Sequence, residues 1–484
     1  MQYLVGLDIG TTSTKAVAFG IDGRQLKVVN NNYPLISPQE GWFEQDPGQI
    51  VNASEAALKT LVEQLGEKPM AVSISSAMHG LMLIGKNGEP ITNLIIWADN
   101  RSDKEARQLK SSKEGAAIYF ASGTPIHPMS PLCKLLWLQK NRPDLMQRAE
   151  KFVSIKEYII HRWTGEYLLD QSLASATGLY NNESTKWNDL ALQVAGIKGS
   201  QLPAVLPTTT ILPKLKPGIA QQLGVEADTP VVIGASDGCL ANLGSGVLDA
   251  TTASLTIGTS SAYRKTIDKF VRDEKQSVFN YILTSDLYVV GGPSNNGGVV
   301  AQWFEREFGD GEFDEQALRS VRPGSEGLIF LPYLLGERAP IWDPESKGVF
   351  FGVQMNHTKN HFYKAVWEGV FQAAHHIAET VDQITGEVEK VVVSGGFAKS
   401  DYLIQTLSNV LQKPCWLCNS AESSAFGAAI LGMHAIGELK DLKDASKLVH
   451  FEKEFLPDPA EAEVYRNGLE KSKRIYSSLK DEFN

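Results

Sequence analysis

A six-residue motif occurs twice in this chain, and each copy stands between two segments rich in apolar and β-branched residues. Residues 9–14 read IGTTST and residues 257–262 read IGTSSA. Each copy predicts a tight polar turn between two strands. Because a repeated supersecondary unit implies repeated structure, the chain is expected to fold into two related α/β lobes. A cleft between two lobes is a favoured place for a ligand.

Local signals extend this pattern around both copies. Asp46 and Pro47 provide an N-cap and a first-turn proline for a helix that ends near Leu65. A helix is also expected from near Asn296, and longer helices over 359–384 and 461–482. The predicted strands cover residues 3–8, 15–19, 24–33, 71–75, 254–257, 262–266, 278–283 and 287–290. The glycine-rich stretch 234–246 separates the copies, which gives predicted domains at 1–246 and 247–484.

Composition limits the classes of function. A chain of 484 residues with 43% hydrophobic residues is large enough for two cores. Its formal net charge is -10 and it has no basic block, which argues against a nucleic-acid partner. No apolar run approaches the ~20 residues that cross a bilayer, and the N-terminus does not look like a signal peptide, so we expect a cytoplasmic protein without a membrane partner. Cys415 and Cys418 form a lone CxxC, which we interpret as part of a buried strand rather than a redox or metal site.

The first motif has the residue types of a phosphate-binding loop. Asp8 ends a strand, and the hydroxyl residues Thr11, Thr12 and Ser13 follow a glycine. Their hydroxyl and amide groups can hold phosphate oxygens, Lys15 adds a positive charge, and the Asp8 carboxylate can hold Mg²⁺ through water. The alternative is an ordinary polar hairpin turn. The chain has no GxxxxGK[ST] sequence, so a P-loop does not explain the motif.

Two later loops complete the candidate nucleotide site. Gly258 and Thr259 in the second motif are the counterparts of the first loop. Gly395 and Gly396 follow an apolar strand and precede Ser400 and a helix. Paired glycines allow a flat ligand such as adenine to approach closely, or they make a tight strand-to-helix turn.

Several segments of the chain match the motifs of one known family. They are DIGTTSTK at 8–15, the GTS turn at 258–260, SGGFAKS at 394–400, a first signature-like run at 129–138 and a second at 348–353 that continues at 361–362 and 365–368. Together they resemble the FGGY carbohydrate kinases, over essentially the whole length of the chain. Within the second signature Trp367 departs from the family pattern, a difference expected to affect helix packing and to leave the chemistry unchanged.

This resemblance implies a fold, cofactors and partners. The expected fold is α/β, with two ribonuclease H-like (actin-like ATPase) domains around a central cleft, the first domain carrying the sugar pocket and the second the nucleotide. The expected ligands are ATP with Mg²⁺ and a small sugar or sugar acid, and the chain is expected to act alone or as a homodimer. Further nucleotide contacts are implied at Gly298 and Gln302.

Asp237 is the candidate general base, since it ends an apolar strand and matches the catalytic aspartate of the family. In phosphoryl transfer a carboxylate accepts the proton of the attacking hydroxyl. The alternative is that Asp237 caps the following helix. The resemblance also implies sugar contacts at Met78, His79 and Gly80.

A second group of candidate sugar contacts comprises Trp97, Asp99 and Arg101. For Asp99 and Arg101 the alternative is a helix start, in which Asp99 is the cap and Arg101 is solvated. The runs SSAMH, WADNRS and SLASATGL are more similar to gluconate kinases, whereas MHG is similar to xylulose kinases. We therefore expect gluconate first and xylulose second, with His79, Arg101 and His127 as candidate donors to the gluconate carboxylate. An actin-like or chaperone-like ATPase switch is the alternative of another class.

Overall fold

The computed structural model describes residues 2–309, 311–418 and 422–483. Its internal contacts divide the chain into two compact units, each assembled from three segments. Unit 1 comprises Met1–Leu248, Ile267–Val289 and Glu422–Val449, and unit 2 comprises Asp249–Thr266, Val290–Ala421 and His450–Asn484.

The strands and helices are numbered in chain order. The strands are β1 Tyr3–Ile9, β2 Ser13–Gly20, β3 Gln25–Asn32, β4 Glu44–Gln45, β5 Val72–Ser76, β6 Met82–Ile84, β7 Leu94–Ile95, β8 Lys151–Val153, β9 Leu168–Asp170, β10 Tyr180–Asn181, β11 Lys186–Trp187, β12 Ala204–Leu206, β13 Val231–Ser236, β14 Thr252–Ile257, β15 Ser261–Ile267, β16 Phe279–Thr284, β17 Leu287–Ser294, β18 Ile329–Leu331, β19 Val349–Phe351, β20 Lys390–Ser394, β21 Cys415–Cys418 and β22 Phe451–Phe455. The helices are α1 Pro47–Leu65, α2 Asp103–Lys110, α3 Lys113–Ser122, α4 Pro131–Asn141, α5 Pro143–Arg148, α6 Ile155–Thr164, α7 Gln171–Ser175, α8 Asp189–Ala195, α9 Ile219–Leu223, α10 Asp237–Gly244, α11 Gly298–Phe308, α12 Glu315–Arg319, α13 Lys359–Thr385, α14 Asp401–Leu411, α15 Ser423–Ala435 and α16 Pro459–Leu479.

Unit 1 is built on a five-stranded sheet in the order β13-β5-β1-β2-β3. The strands β1, β2 and β3 pair antiparallel, whereas β5 and β13 join in parallel. The helix α1 covers this sheet, and its first turn is capped by the Asp46 carboxylate, which accepts a hydrogen bond from the Gly48 N–H at 2.8 Å. The predicted strand–turn–strand unit and its helix are confirmed.

Unit 2 repeats this arrangement. Its sheet contains the order β17-β15-β14-β20-β21-β22, in which β14 and β15 pair antiparallel and β20 and β21 follow in parallel. In each unit, the strand before the hydroxyl-rich turn therefore lies between an antiparallel and a parallel neighbour. The second motif occupies the same topological position as the first, which is what the repeat in the sequence predicts.

The glycine-rich stretch 234–246 forms secondary structure rather than a linker. It supplies the end of β13 and all of α10, which packs against α15. A methyl group added at Gly244 would lie 2.1 Å from the carbonyl oxygen of Ser423. Glycine at position 244 therefore permits close contact between two helices.

The fold bears on two expectations, one about the cysteines and one about membrane spans. All four cysteines are buried, and Cys415 and Cys418 lie on β21, so the interpretation as part of a buried strand is confirmed. Within residues 2–309, 311–418 and 422–483, no helix combines the length and the apolar character that a membrane span requires.

Candidate active site

Three of the predicted site segments leave neighbouring strands of unit 1 at the same edge of the sheet. Ile9 of β1 pairs with Ser76 of β5, and Ser76 pairs with Ser236 of β13, all in parallel register. Since neighbouring strands are about 5 Å apart, the segments that follow them start close together. The first phosphate-type loop, the Met78–His79 segment and Asp237 are thereby gathered at one edge.

Asp8 is a half-buried carboxylate next to the first loop. Burial raises the pKa of its carboxyl group above the ordinary value, while a hydrogen bond from the Ser75 hydroxyl at 2.5 Å and the charge of Lys15 act in the opposite direction. The Lys15 ammonium itself donates to Glu422 at 2.6 Å, within unit 1. Because burial disfavours the ionised form of Asp8, a nearby cation would stabilise that form. Asp8 therefore fits the predicted role of holding a metal ion.

The first loop is held in place by side chains from elsewhere in unit 1. The Trp97 indole N–H donates to Thr11 Oγ1 at 2.9 Å, and the Gln45 amide donates to the carbonyl oxygen of Thr11. The Tyr33 hydroxyl donates to the Gly10 carbonyl at 2.6 Å. Trp97, predicted as a wall of the sugar pocket, therefore lies against the phosphate-type loop. In the same loop Thr12 is exposed and Ser13 is half-buried.

His79 adopts an unusual backbone conformation in the predicted substrate segment. Its φ of 65° lies in the left-handed region, which is uncommon for a residue other than glycine. Its Nδ1 donates to the Ala176 carbonyl at 2.8 Å, and its ring lies edge-on to the Tyr281 ring at 5.9 Å. Strained conformations that neighbouring groups hold in place are concentrated at functional sites. Met78 and Gly80 on either side are half-buried.

Lys134 holds the backbone of the segment around His79 in place by hydrogen bonds. Its ammonium donates to the carbonyl oxygens of His79 at 2.5 Å and Ile95 at 3.3 Å. The side chain is fully buried, and burial lowers the pKa of Lys134 to about 7, although the nearby Asp99 charge raises it. Lys134 lies within the signature-like run at 129–138 but was not predicted as a site residue. The available signal was a charged residue within the apolar run of α4.

Arg101 and Asp99 form a buried ion pair. The guanidinium of Arg101 makes two hydrogen bonds of 2.8 Å to Asp99 and one of 2.7 Å to Glu44, and it lies 4.1 Å from the ring centroid of Trp42. The Arg101 side chain is only 4% exposed, so the alternative of a solvated residue is wrong. Ser102 occupies the N-cap position of α2, so Asp99 is not its cap. Any contact of this pair with a sugar stays a prediction.

Asp237 is the first residue of α10. Its Oδ1 accepts a hydrogen bond from the Gly238 N–H at 2.7 Å, and its carbonyl oxygen accepts one from the Ser424 hydroxyl at 3.2 Å. The cap position belongs to Ser236. The N-terminus of a helix stabilises negative charge, which favours the ionised form of the carboxylate that a general base requires.

A buried pair that the sequence analysis missed supports the strand before Asp237. The Lys156 ammonium lies 2.6 Å from the Asp170 carboxylate, both side chains are fully buried, and Lys156 also donates to the Ala235 carbonyl at 3.3 Å. The hydroxyls of Ser172 and Ser236 are 2.9 Å apart. Ser172 belongs to the SLASATGL run, which is similar to the corresponding run of gluconate kinases.

In unit 2 the second and third predicted loops also leave neighbouring parallel strands. Thr256 of β14 pairs with Ser394 of β20, so both loops begin at the same edge. Gly395 has φ 112°, and a methyl group there would lie 2.1 Å from the Ile257 carbonyl oxygen. This position therefore requires glycine, because a side chain would be both strained and obstructed.

Most of the predicted nucleotide contacts of unit 2 line one cavity of about 540 Å³. The Ser400 hydroxyl donates to Glu315 at 2.6 Å and caps α14. Trp367 also lies in the cavity wall, and the expectation that it leaves the chemistry unchanged stays a prediction. The predicted residues in the lining are Gly258, Thr259, Gly298, Gln302, Gly396 and Ser400.

Known proteins resemble this chain over its whole length. It is 40% identical to a gluconokinase of Bacillus subtilis, over 96% of this chain and 94% of that protein, and 28% identical to a xylulose kinase of the same organism, over 99% and 98%. Two solved structures from Lactobacillus acidophilus are 34% identical: a ligand-bound xylulose kinase with a TM-score of 0.97, covering 100% of this chain and 99% of that one, and a gluconate kinase with 0.95, covering 99% and 98%.

Family models match both parts of the sequence. The N-terminal domain model of the FGGY family of carbohydrate kinases matches residues 3–244, and the C-terminal domain model matches residues 252–436. The two-domain actin-like fold expected from the sequence is confirmed by the structural matches. The chain therefore belongs to the FGGY family of carbohydrate kinases.

Proposed function

We propose that this kinase transfers the terminal phosphoryl group of ATP to D-gluconate, forming 6-phosphogluconate. The observation that carries the proposal is the 40% identity to a gluconokinase over nearly the whole chain, against 28% to a xylulose kinase. The sequence runs SSAMH, WADNRS and SLASATGL support the same substrate. Kinases of this family use ATP as the phosphoryl donor.

Asp237 is the residue we propose as general base. Its carboxylate accepts the proton of the terminal hydroxyl of gluconate while the hydroxyl oxygen forms a bond to the γ-phosphorus and the bond to the β–γ bridging oxygen breaks. ADP leaves with that oxygen. The position of Asp237 at the first turn of α10 supports this role, since a helix N-terminus stabilises the negative charge of a carboxylate.

Asp8 is the residue we propose to hold Mg²⁺, through bound water. The metal would neutralise charge on the triphosphate oxygens. The raised pKa of Asp8 supports the proposal, because a cation would offset the cost of charge at this position. The hydroxyls of Thr11, Thr12 and Ser13 and the loops at Gly258 and Gly395 are the proposed phosphate contacts, and the cavity of unit 2 is the proposed nucleoside site.

Arg101 needs separate consideration as a partner for the gluconate carboxylate. Its charge is already matched by Asp99 and Glu44, and both pairs are largely removed from solvent. An Arg101→Leu variant would leave two carboxylates unpaired in a buried place, which destabilises proteins strongly. A loss of activity in that variant would therefore report on folding as much as on substrate binding.

The substrate is tested by measuring ADP release with purified protein over a panel of gluconate, xylulose, ribulose, fuculose and glycerol. We expect the highest kcat/KM for gluconate and a kcat lowered by about 10²–10⁴-fold in Asp237→Asn. A kcat/KM for xylulose well above that for gluconate would overturn the proposal and make MHG the better guide, in line with the xylulose kinase structure of TM-score 0.97. ADP release that is independent of every sugar would instead favour an ATPase switch.

A further inference from the structure

Trp367 belongs both to the long helix α13 and to the wall of the cavity of unit 2. It lies in the first half of α13, is 6% exposed, and forms part of the wall of the 540 Å³ cavity. The same cavity is lined by Gly258, Gly298 and Gly396. The lining therefore combines glycines, which admit a ligand to the backbone, with a large aromatic surface.

Trp367 belongs to a continuous row of four aromatic rings. The Phe313 ring is edge-on to Trp367 at 6.3 Å, Trp367 lies 5.7 Å from Phe371, and Phe371 is edge-on to Phe397 at 5.8 Å. Phe397 follows Gly396 directly in the chain. The position of the indole is thus fixed relative to the paired-glycine loop by ring contacts at both ends.

The indole N–H of Trp367 provides a second, independent observation. Its Nε1 is buried and makes no hydrogen bond among the described residues. Burial raises the pKa of the Tyr363 hydroxyl, and the nearby indole N–H of Trp367 opposes this only weakly. The Tyr363 hydroxyl donates to Glu305, and no hydrogen bond of ordinary geometry joins it to Trp367. A buried indole N–H usually has an acceptor. A ring nitrogen of a nucleotide base is an acceptor of the right kind.

We propose that Trp367 is a specificity-determining residue that contacts the base of the nucleotide, with Phe313 extending the wall, and that this contact favours purines. The inference rests on the proposed function, because it assumes that the cavity holds the nucleoside of ATP. A purine offers two fused rings to an aromatic surface and several ring nitrogens to the indole N–H. A pyrimidine offers one ring and stacks over less area.

The test compares Trp367→Leu with wild type for three probes: ATP and CTP, which differ only in the base, and inorganic triphosphate, which lacks the whole nucleoside. Loss of one base–aromatic contact weakens binding by about tenfold to a hundredfold. We expect the Kd for ATP to rise by that factor and the preference for ATP over CTP to shrink. The inhibition constant of inorganic triphosphate and the KM for gluconate should be unchanged, whereas Trp367→Phe should restore part of the ATP affinity.

Trp416→Leu is the matched control, since Trp416 lies on β21 against Phe451 rather than in the cavity lining. It should bind ATP like wild type. An unchanged Kd for ATP in Trp367→Leu, or equal losses for ATP and inorganic triphosphate, would overturn the inference. The proposed function would fail separately, if wild-type protein did not bind ATP at all.

Discussion

Lys134 lies beneath the candidate substrate segment, where burial lowers the pKa of its ammonium group to about 7 from an ordinary value of 10.5. The charge of Asp99 raises this pKa, but by less than the loss of hydration lowers it, and the charge of Arg101 lowers it further. In the unfolded chain the lysine is solvated and keeps its proton up to about pH 10. We therefore expect Lys134 to contribute a pH dependence to the free energy of unfolding.

The sign and size follow from the two pKa values. Between pH 7 and about 10 the unfolded chain holds a proton on Lys134 that the folded protein has lost, so stability rises with pH by about 1.4 kcal/mol per unit. Below pH 7 Lys134 is protonated in both the folded and the unfolded state, so its contribution to the free energy of unfolding no longer changes with pH. The buried ammonium then lowers that free energy by roughly 5 kcal/mol relative to a neutral amine. Lys134→Met removes the titrating group. The difference in unfolding free energy between wild type and this variant should therefore change by about 2–3 kcal/mol from pH 7 to pH 9.

The assay is urea unfolding of wild type and Lys134→Met at several pH values from 6 to 9, in which other titrations cancel in the difference. Lys140→Met is the control, because Lys140 lies on the same helix with its side chain 54% exposed. Its difference from wild type should stay constant. Parallel pH profiles for wild type and Lys134→Met would refute the reasoning, since they would mean that Lys134 keeps its proton in the folded protein.

Two further predictions concern the chemistry. Asp237→Asn should lower kcat by about 10²–10⁴-fold while calorimetry shows nearly unchanged binding of ATP and gluconate, and turnover near the wild-type rate would remove Asp237 from the role of base. Asp8→Ala should raise the Mg²⁺ concentration needed for half-maximal turnover far more than it weakens gluconate binding; equal losses of both would indicate a folding defect instead.

Much of the fold could be predicted because its signals are local. Asp46 and Pro47 specify the start of α1 within two residues, and an Asp-Gly pair places the turn between β2 and β3. For the same reason, the repeated hydroxyl-rich turn predicted correctly that each unit contains the same strand–turn–strand topology. Each of these features depends on neighbours in sequence rather than on the tertiary structure.

The side-chain partners could not be predicted in this way. Arg101 pairs with Glu44, and Lys134 donates to His79, over separations that no periodicity encodes. Trp367 illustrates a different limit. A helix as buried as α13 has apolar residues on most of its faces, so the sequence does not tell which ring meets a cavity and which packs against a neighbouring element.

The helix α15 connects the metal candidate and the base candidate of unit 1. A methyl group at Gly6 on β1 would lie 2.0 Å from the Ala425 carbonyl oxygen, and one at Gly427 would lie 1.9 Å from the Leu240 carbonyl oxygen on α10. One helix is therefore in backbone contact with both the strand that carries Asp8 and the helix that begins at Asp237. Phosphoryl transfer depends on positioning to within about an ångström. Because glycine lets the backbones touch, a single rigid helix sets the distance between the two carboxylates. Longer side chains between the backbones would make this distance depend on their rotamers.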